Sequence, residues 1–170
     1  MTEYPAINTQ SIFTLWITLL LVWLVANASM AIDVIVTGVV VSTILALPLS
    51  VFAGAYADIR LSPKAFIYYF RYLGVFLWEL LLANMNVARI VFSPKINIHP
   101  GIVKVHTRLK SRTGRLVLAN SITLTPGTLV VDIDDDTLYV HWIDVTTQDS
   151  EKATREIAEK FEKYLEVIYG

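Results

Sequence analysis

FIYYFRYLGVFLWELLLANMNVARIVF, residues 66–92, is the stretch on which the reading of this chain turns. It is long and apolar enough to cross a hydrocarbon layer, which takes about 20 residues. Yet it carries Arg71, Glu79, Asn84, Asn86 and Arg89. At about 100° per residue, Arg71 and Arg89 share one azimuth, and Glu79 and Asn86 fall within roughly 80° of it. Four polar groups therefore form one stripe: Arg71, Glu79, Asn86 and Arg89. A charged group at the bilayer centre costs about 2.5–3.5 kcal/mol, so such a stripe is expected to face protein or a water-filled cavity. Arg71 and Arg89, about 27 Å apart along the axis, can snorkel to the two interfaces, whereas Glu79 sits about 12 Å in from Arg71. The expectation is a carboxylate that is either paired to a neighbouring subunit or linked to ion passage.

Towards the amino terminus no charged residue falls between Glu3 and Asp33, or between Asp33 and Asp58. These two stretches predict helices over 12–26 and 31–52, joined by an Asn27-Ala28-Ser29 turn. The first lacks the basic region of a secretion leader, with Glu3 in its place, and is expected to stay on the chain. Together with 66–92 they give about three transmembrane helices within residues 1–92. Residues 80–131 contain seven basic side chains and no acidic one, which places the carboxy-terminal part in the cytoplasm. Two full spans with an interfacial third helix would suit the Asp58–Lys64 loop better. That arrangement leaves Val75–Met85 very apolar for a surface, so three spans are preferred.

The composition agrees with this division. The 170 residues are 55% hydrophobic and 17% charged, with mean hydropathy +0.55, against about a quarter charged in ordinary globular domains. Residues 1–92 hold eight of the charged side chains and the remainder of the chain holds 21. There is no cysteine, which excludes disulfides, thiolate metal sites and cysteine nucleophiles. A net charge of −1 offers no basic footprint for nucleic acid.

After Ser93-Pro94 the period changes. Ile102–Leu109 alternates, with Lys104, His106 and Arg108 on one side, and reads as a strand wet on one face. Residues 113–123 read as a short helix capped by Thr113. Thr128–Ile133 and Leu138–Val145 alternate around Asp134-Asp135-Asp136-Thr137 and read as a hairpin. A last helix is predicted over 150–168, with Ala153, Ile157, Phe161, Leu165 and Ile168 inward and Glu156/Lys160 among its exposed i,i+4 pairs. Residues 93–170 are thus expected to form a small cytoplasmic α+β domain, β-α-β-β-α.

Catalytic signals are weak. Asp132, Asp134 and Asp136 have the spacing of a calcium loop, but Thr137 and Ile143 stand where glycine and glutamate belong, so they read as a hairpin tip. His99, His106 and His141 lie on separate segments without ligand spacing. No phosphate loop, dinucleotide fingerprint or nucleophile elbow is present. No metal, cofactor or catalytic residue is assigned, and the chain is not read as an enzyme.

The run Leu118–Thr128, LANSITLTPGT, followed by Leu138–Val145, LYVHWIDV, resembles the E subunit of Mrp-type (Mnh or Pha) multisubunit cation/proton antiporters. Glu79–Leu81, Asn86–Arg89, Ser93-Pro94 and Pro100–Val103 are similar to the same family. The resemblance implies an accessory integral-membrane subunit of a Na+/H+ antiporter complex that supports assembly and activity, while the large antiporter-like subunits carry the ions. Its implied partners are the other subunits of that complex, with membrane lipid around them. The motif residues Asn120, Ser121, Thr123, Thr125, Pro126 and Gly127 read as fold specification or subunit contact: threonines bonding backbone near a helix end, then a Pro-Gly turn. The alternative is a free-standing membrane-anchored adaptor or sensor with a cytoplasmic ligand- or protein-binding domain. A membrane-embedded enzyme has no paired acid/base or metal set to support it.

Overall fold

A computed structural model of the chain describes residues 9–49, 58, 60, 62–95 and 98–170. The chain divides into two compact units, Met1–Ile59 and Arg60–Gly170.

The first unit is a helical hairpin of α1 (Thr9–Asn27) and α2 (Ile32–Ala46). Leucine, valine and isoleucine occupy most sides of both helices, as suits a segment with no watery face. Ala28 takes φ 46° and its N–H donates to the Val25 carbonyl, closing α1. The two helices are keyed by tryptophans: Trp23 Nε1 donates to the Val34 carbonyl at 3.0 Å and Trp16 Nε1 to Thr43 Oγ1 at 3.1 Å. Gly38 is buried beneath Trp23, where a Cβ would stand 2.5 Å from the indole Cδ1. The expected helix over 31–52 ends at Ala46, just ahead of Pro48, which has no N–H to continue the ladder. Residues 50–52 lie outside the described ones.

The second unit begins with α3 (Pro63–Val91), whose start is fixed by Ser62 accepting from the Ala65 N–H at 3.1 Å and by proline in the first turn. Then follow β1 (Gly101–His106), α4 (Arg112–Leu124), β2 (Thr128–Asp134), β3 (Thr137–Trp142), α5 (Ser150–Ile157) and α6 (Glu159–Tyr169). The sheet is antiparallel in the order β1-β3-β2, and a bulge between Val130 and Asp132 adjusts the β2 register. Val103, Val105, Leu138 and Val140 point to one face and close a core with Leu109, Leu118, Ile122, Ile157, Phe161, Leu165 and Ile168. Lys104 and His106 point away, as the alternation predicts.

Three expectations need correction. The first concerns the spans: among the described residues, only α3 is long and apolar enough to cross a bilayer by length and composition, and α1 and α2 are shorter apolar helices. The second concerns α4, which is capped by Ser111, accepting from the Gly114 N–H at 3.0 Å, ahead of the expected Thr113. The third concerns the last helix, which breaks at Ala158 (φ −101°) into α5 and α6. The two pieces have different hosts. α5 ties to the edge of β1 through Thr154 Oγ1, which accepts from the His106 N–H, and Ser150 Oγ, which donates to the Lys104 carbonyl. α6 packs along α3. One straight helix could not serve both.

Helix α3 belongs to the same compact unit as the sheet. Tyr68, Tyr72 and Phe76 pack against the sheet domain's core; the Tyr72 and Phe76 rings lie 6.5 and 6.3 Å from the ring of Phe161.

Candidate functional site

Between α3 and the turn after α4 lies a cleft of about 530 Å³, with Glu79, Asn86 and Arg89 on one wall, Thr125-Pro126-Gly127 on another, and Lys160 across it. Three of the four residues of the polar stripe and the turn of the domain's most distinctive motif thus meet in one place.

Glu79 is the centre of the arrangement. Its Oε2 lies 2.7 Å from Lys160 Nζ, with side-chain exposures of 23% and 30%. The partner expected from a neighbouring subunit is therefore supplied by the chain itself, from a residue 81 positions away. The lysine ammonium also lies 5.5 Å from the Phe161 ring centroid, a cation–π approach. The physical reason is the α5/α6 break: only the turned α6 brings Lys160 over α3. Asn86 and Arg89 are exposed and bond to each other at 3.4 Å. Arg71 stands apart, its guanidinium 5.4 Å from the Tyr68 ring centroid.

The motif residues mostly specify the fold. Thr125 Oγ1 donates to the Ser121 carbonyl at 2.8 Å, ending α4. Thr128 Oγ1 donates to the Ile122 and Thr125 carbonyls at 2.6 and 3.0 Å. Thr123 Oγ1 accepts from the Val130 N–H at 3.2 Å, tying the helix end to β2. Gly127 adopts φ 99°, a conformation glycine takes without strain, and its carbonyl accepts from the Ile143 N–H. Ser121 does two jobs: its Oγ donates to the Val117 carbonyl and lies 2.6 Å from the Tyr72 hydroxyl on α3. Asn120 is exposed on α4.

One residue that the sequence pattern does not single out is Glu162. It is 2% exposed, and its Oε1 accepts from Thr107 Oγ1 at 2.5 Å and from the Arg108 N–H at 2.6 Å. Arg108 crosses over it to Glu166, at 2.9 Å. Glu166 and then Glu162 raise the already high pKa of that guanidinium. A signal exists: Glu162 falls between Phe161 and Leu165 on the inward side of α6, where a carboxylate must have partners. Lys160 reads as a member of an exposed i,i+4 pair and gives no comparable sign. Among the described residues, no three His, Asp or Glu side chains gather to hold a metal ion.

The cleft holds a neutralised ion pair beside a rigid turn and no acid–base or nucleophile set among its described lining residues. Comparison with known proteins gives it a family. The Na+/H+ ion antiporter subunit family, MNHE, matches residues 16–168, and the chain belongs to that family. It is 48% identical over 93 residues to the E subunit of the Na+/H+ antiporter of Alkalihalophilus pseudofirmus, a stretch covering 54% of this chain and 58% of that relative. It is 47% identical over 96 residues to the E subunit of the Na+/H+ antiporter of Bacillus subtilis, covering 55% and 60%. The chain thus spans little more than half the length of the curated relatives it matches. Among solved structures it is similar to a chain of the membrane-bound sulfane sulfur reductase, an archaeal respiratory membrane complex. That similarity runs at 39% identity and TM-score 0.83, over 94% of this chain and 99% of the other.

Proposed function

We propose that this chain is an accessory integral-membrane subunit of a multisubunit Na+/H+ antiporter complex, supporting its assembly and activity without carrying the main ion route, and that its sheet domain is cytoplasmic. The observation that carries the reading is the closed Glu79–Lys160 pair. Glu79 Oε2 is held at 2.7 Å by a cation from its own chain, which fits a fastening role for that carboxylate. The similar chain in the sulfane sulfur reductase supports a modular, structural role, because the fold recurs in a complex named for a different reaction. The basic excess over residues 80–131 supports the cytoplasmic side.

Affinity purification of the tagged chain in mild detergent tests this. It is expected to bring down several other hydrophobic polypeptides as one assembly, and loss of the chain is expected to reduce both assembly yield and Na+/H+ exchange in inverted vesicles. A stable, isolated polypeptide whose removal leaves exchange unaltered refutes the reading.

A further inference from the structure

Helix α3 has the length of a membrane span and the seat of something else. Its contacts with the sheet domain run along most of one side. Tyr68 meets Tyr164 at 6.2 Å between ring centroids, and Tyr72 meets Phe161 and Ser121. Glu79 meets Lys160, and a Cβ placed on Gly127 would lie 3.9 Å from Val87 Cγ2. From Tyr68 to Val87 is about 28 Å of helix axis, nearly the whole thickness of a hydrocarbon layer. Were α3 to cross the bilayer, the domain fastened along it would have to enter hydrocarbon too, with its exposed charges Arg108, Glu156, Glu159 and Lys163.

The opposite side of α3 is apolar and open. Phe66, Phe70, Leu77, Trp78, Leu81 and Met85 are each 52–66% exposed and fall within about 120° of arc. Lys64, Arg71 and Arg89 all project from a single shoulder, between this open face and the docked one. The only carboxylate of the helix, Glu79, is turned inward to Lys160. An apolar face rich in phenylalanine and tryptophan, bordered by cations, is the pattern of a helix lying in a membrane interface. The basic border complements anionic headgroups.

We propose that α3 lies in the plane of the membrane, its Phe66–Met85 face sunk into the bilayer surface and its basic shoulder at anionic headgroups, so that the sheet domain is held flat against the membrane and α3 does not cross it. This changes the topology expected from the sequence. The apolarity of Val75–Met85, which argued against a surface position, is accounted for: one side of that segment meets Phe161 and the cleft, and the other meets lipid.

The absence of native cysteines makes the test direct. Phe66→Cys, Leu77→Cys, Leu81→Cys and Met85→Cys in the full-length chain, within its assembled complex, are spin-labelled in vesicles of phosphatidylcholine with one quarter phosphatidylglycerol. The expected result is that all four labels sit at one shallow depth, about 5–10 Å below the phosphates, and that the thiols introduced at positions 66 and 85 react with an impermeant maleimide from the same side. A label at position 77 near the bilayer centre, about 15 Å deep, with positions 66 and 85 reactive from opposite sides, overturns the proposal in favour of a span. Labels shielded from both dissolved oxygen and polar relaxation agents overturn it in favour of a protein partner. Replacing phosphatidylglycerol by phosphatidylcholine is expected to make position 66 at least twofold more accessible to the polar agent; no change overturns the headgroup contact.

Discussion

The Glu79–Lys160 pair allows a quantitative test of how α3 is fastened to α6. At 2.7 Å and roughly three-quarters buried on both sides, it lies between an exposed ion pair, worth about 0.2–1 kcal/mol, and a fully buried one, whose breakage costs about 3–5 kcal/mol. Glu79→Gln keeps the shape and a hydrogen-bond acceptor while removing the charge, and leaves the ammonium opposed by a dipole. A loss of about 1–2 kcal/mol is expected, in line with hydrogen bonds to charged groups. Lys160→Met leaves the carboxylate bare among Leu82, Phe161 and Ile157 and is expected to cost about 2 kcal/mol. The double variant should recover at least about 1 kcal/mol of the sum. For a chain of this length each kcal/mol corresponds to about 2–4 °C in Tm, so thermal unfolding of the purified complex, followed by tryptophan fluorescence, resolves the cycle. The charge-swapped variant, Glu79→Lys with Lys160→Glu, should restore assembly yield lost in either single reversal. Additivity within about 0.3 kcal/mol, with assembly and exchange unchanged in every variant, would refute the reasoning that this pair holds the helix to the domain.

Three further outcomes are expected. Glu162→Leu strands the Thr107 hydroxyl and the Arg108 N–H in the core and should destabilise the second unit by about 3–5 kcal/mol, read as loss of folded chain in detergent; Glu162→Gln should cost less than half of that. Gly127→Ala must hold φ 99° with a Cβ 3.1 Å from Ile143 Cγ2, and should lower stability by about 1–3 kcal/mol in thermal unfolding. Gly38→Val forces a side chain into Trp23; a red shift in tryptophan emission and a loss of about 1–3 kcal/mol are expected, whereas Gly74→Val, where a Cβ meets open space, should leave both nearly unchanged.

How much of this was legible beforehand depends on the range of the interaction. The strand expected over Ile102–Leu109, the hairpin over Asp134–Thr137 and the start of the last helix near Ser150 rest on period and turn chemistry, and the structure has all three, with the strand ending early at His106. Of the α3 stripe, Glu79, Asn86 and Arg89 line one cleft and Arg71 does not. What the stripe faces was not legible. Lys160 reaches Glu79 only because Ala158 turns the chain, and no local signal marks Ala158: alanine is the best helix former, and the break exists because β1 and α3 pull adjacent segments to different hosts. Ser111 in place of Thr113 as the cap of α4 is a smaller instance, decided by where the loop after Leu109 delivers the chain. Apolarity alone also overstated the span count, because α1 and α2 are as apolar as a span but shorter than one among the described residues.

The order in which the chain is made gives the α3–α6 seam a biogenesis problem. Tyr68, Tyr72 and Phe76 are synthesised well before the residues of α6 that cover them, Tyr164 and Phe161, and Glu79 is made 81 residues before Lys160. Until then the aromatic face that meets Phe161 is bare. On the in-plane reading of α3, such a nascent segment meets lipid as a span would and settles at the interface once Phe161 is made. Frameshifts or stop codons upstream of Phe161 would therefore leave Tyr72, Phe76 and Glu79 without their α6 partners, so that lesions far downstream of α3 bear on how that helix settles.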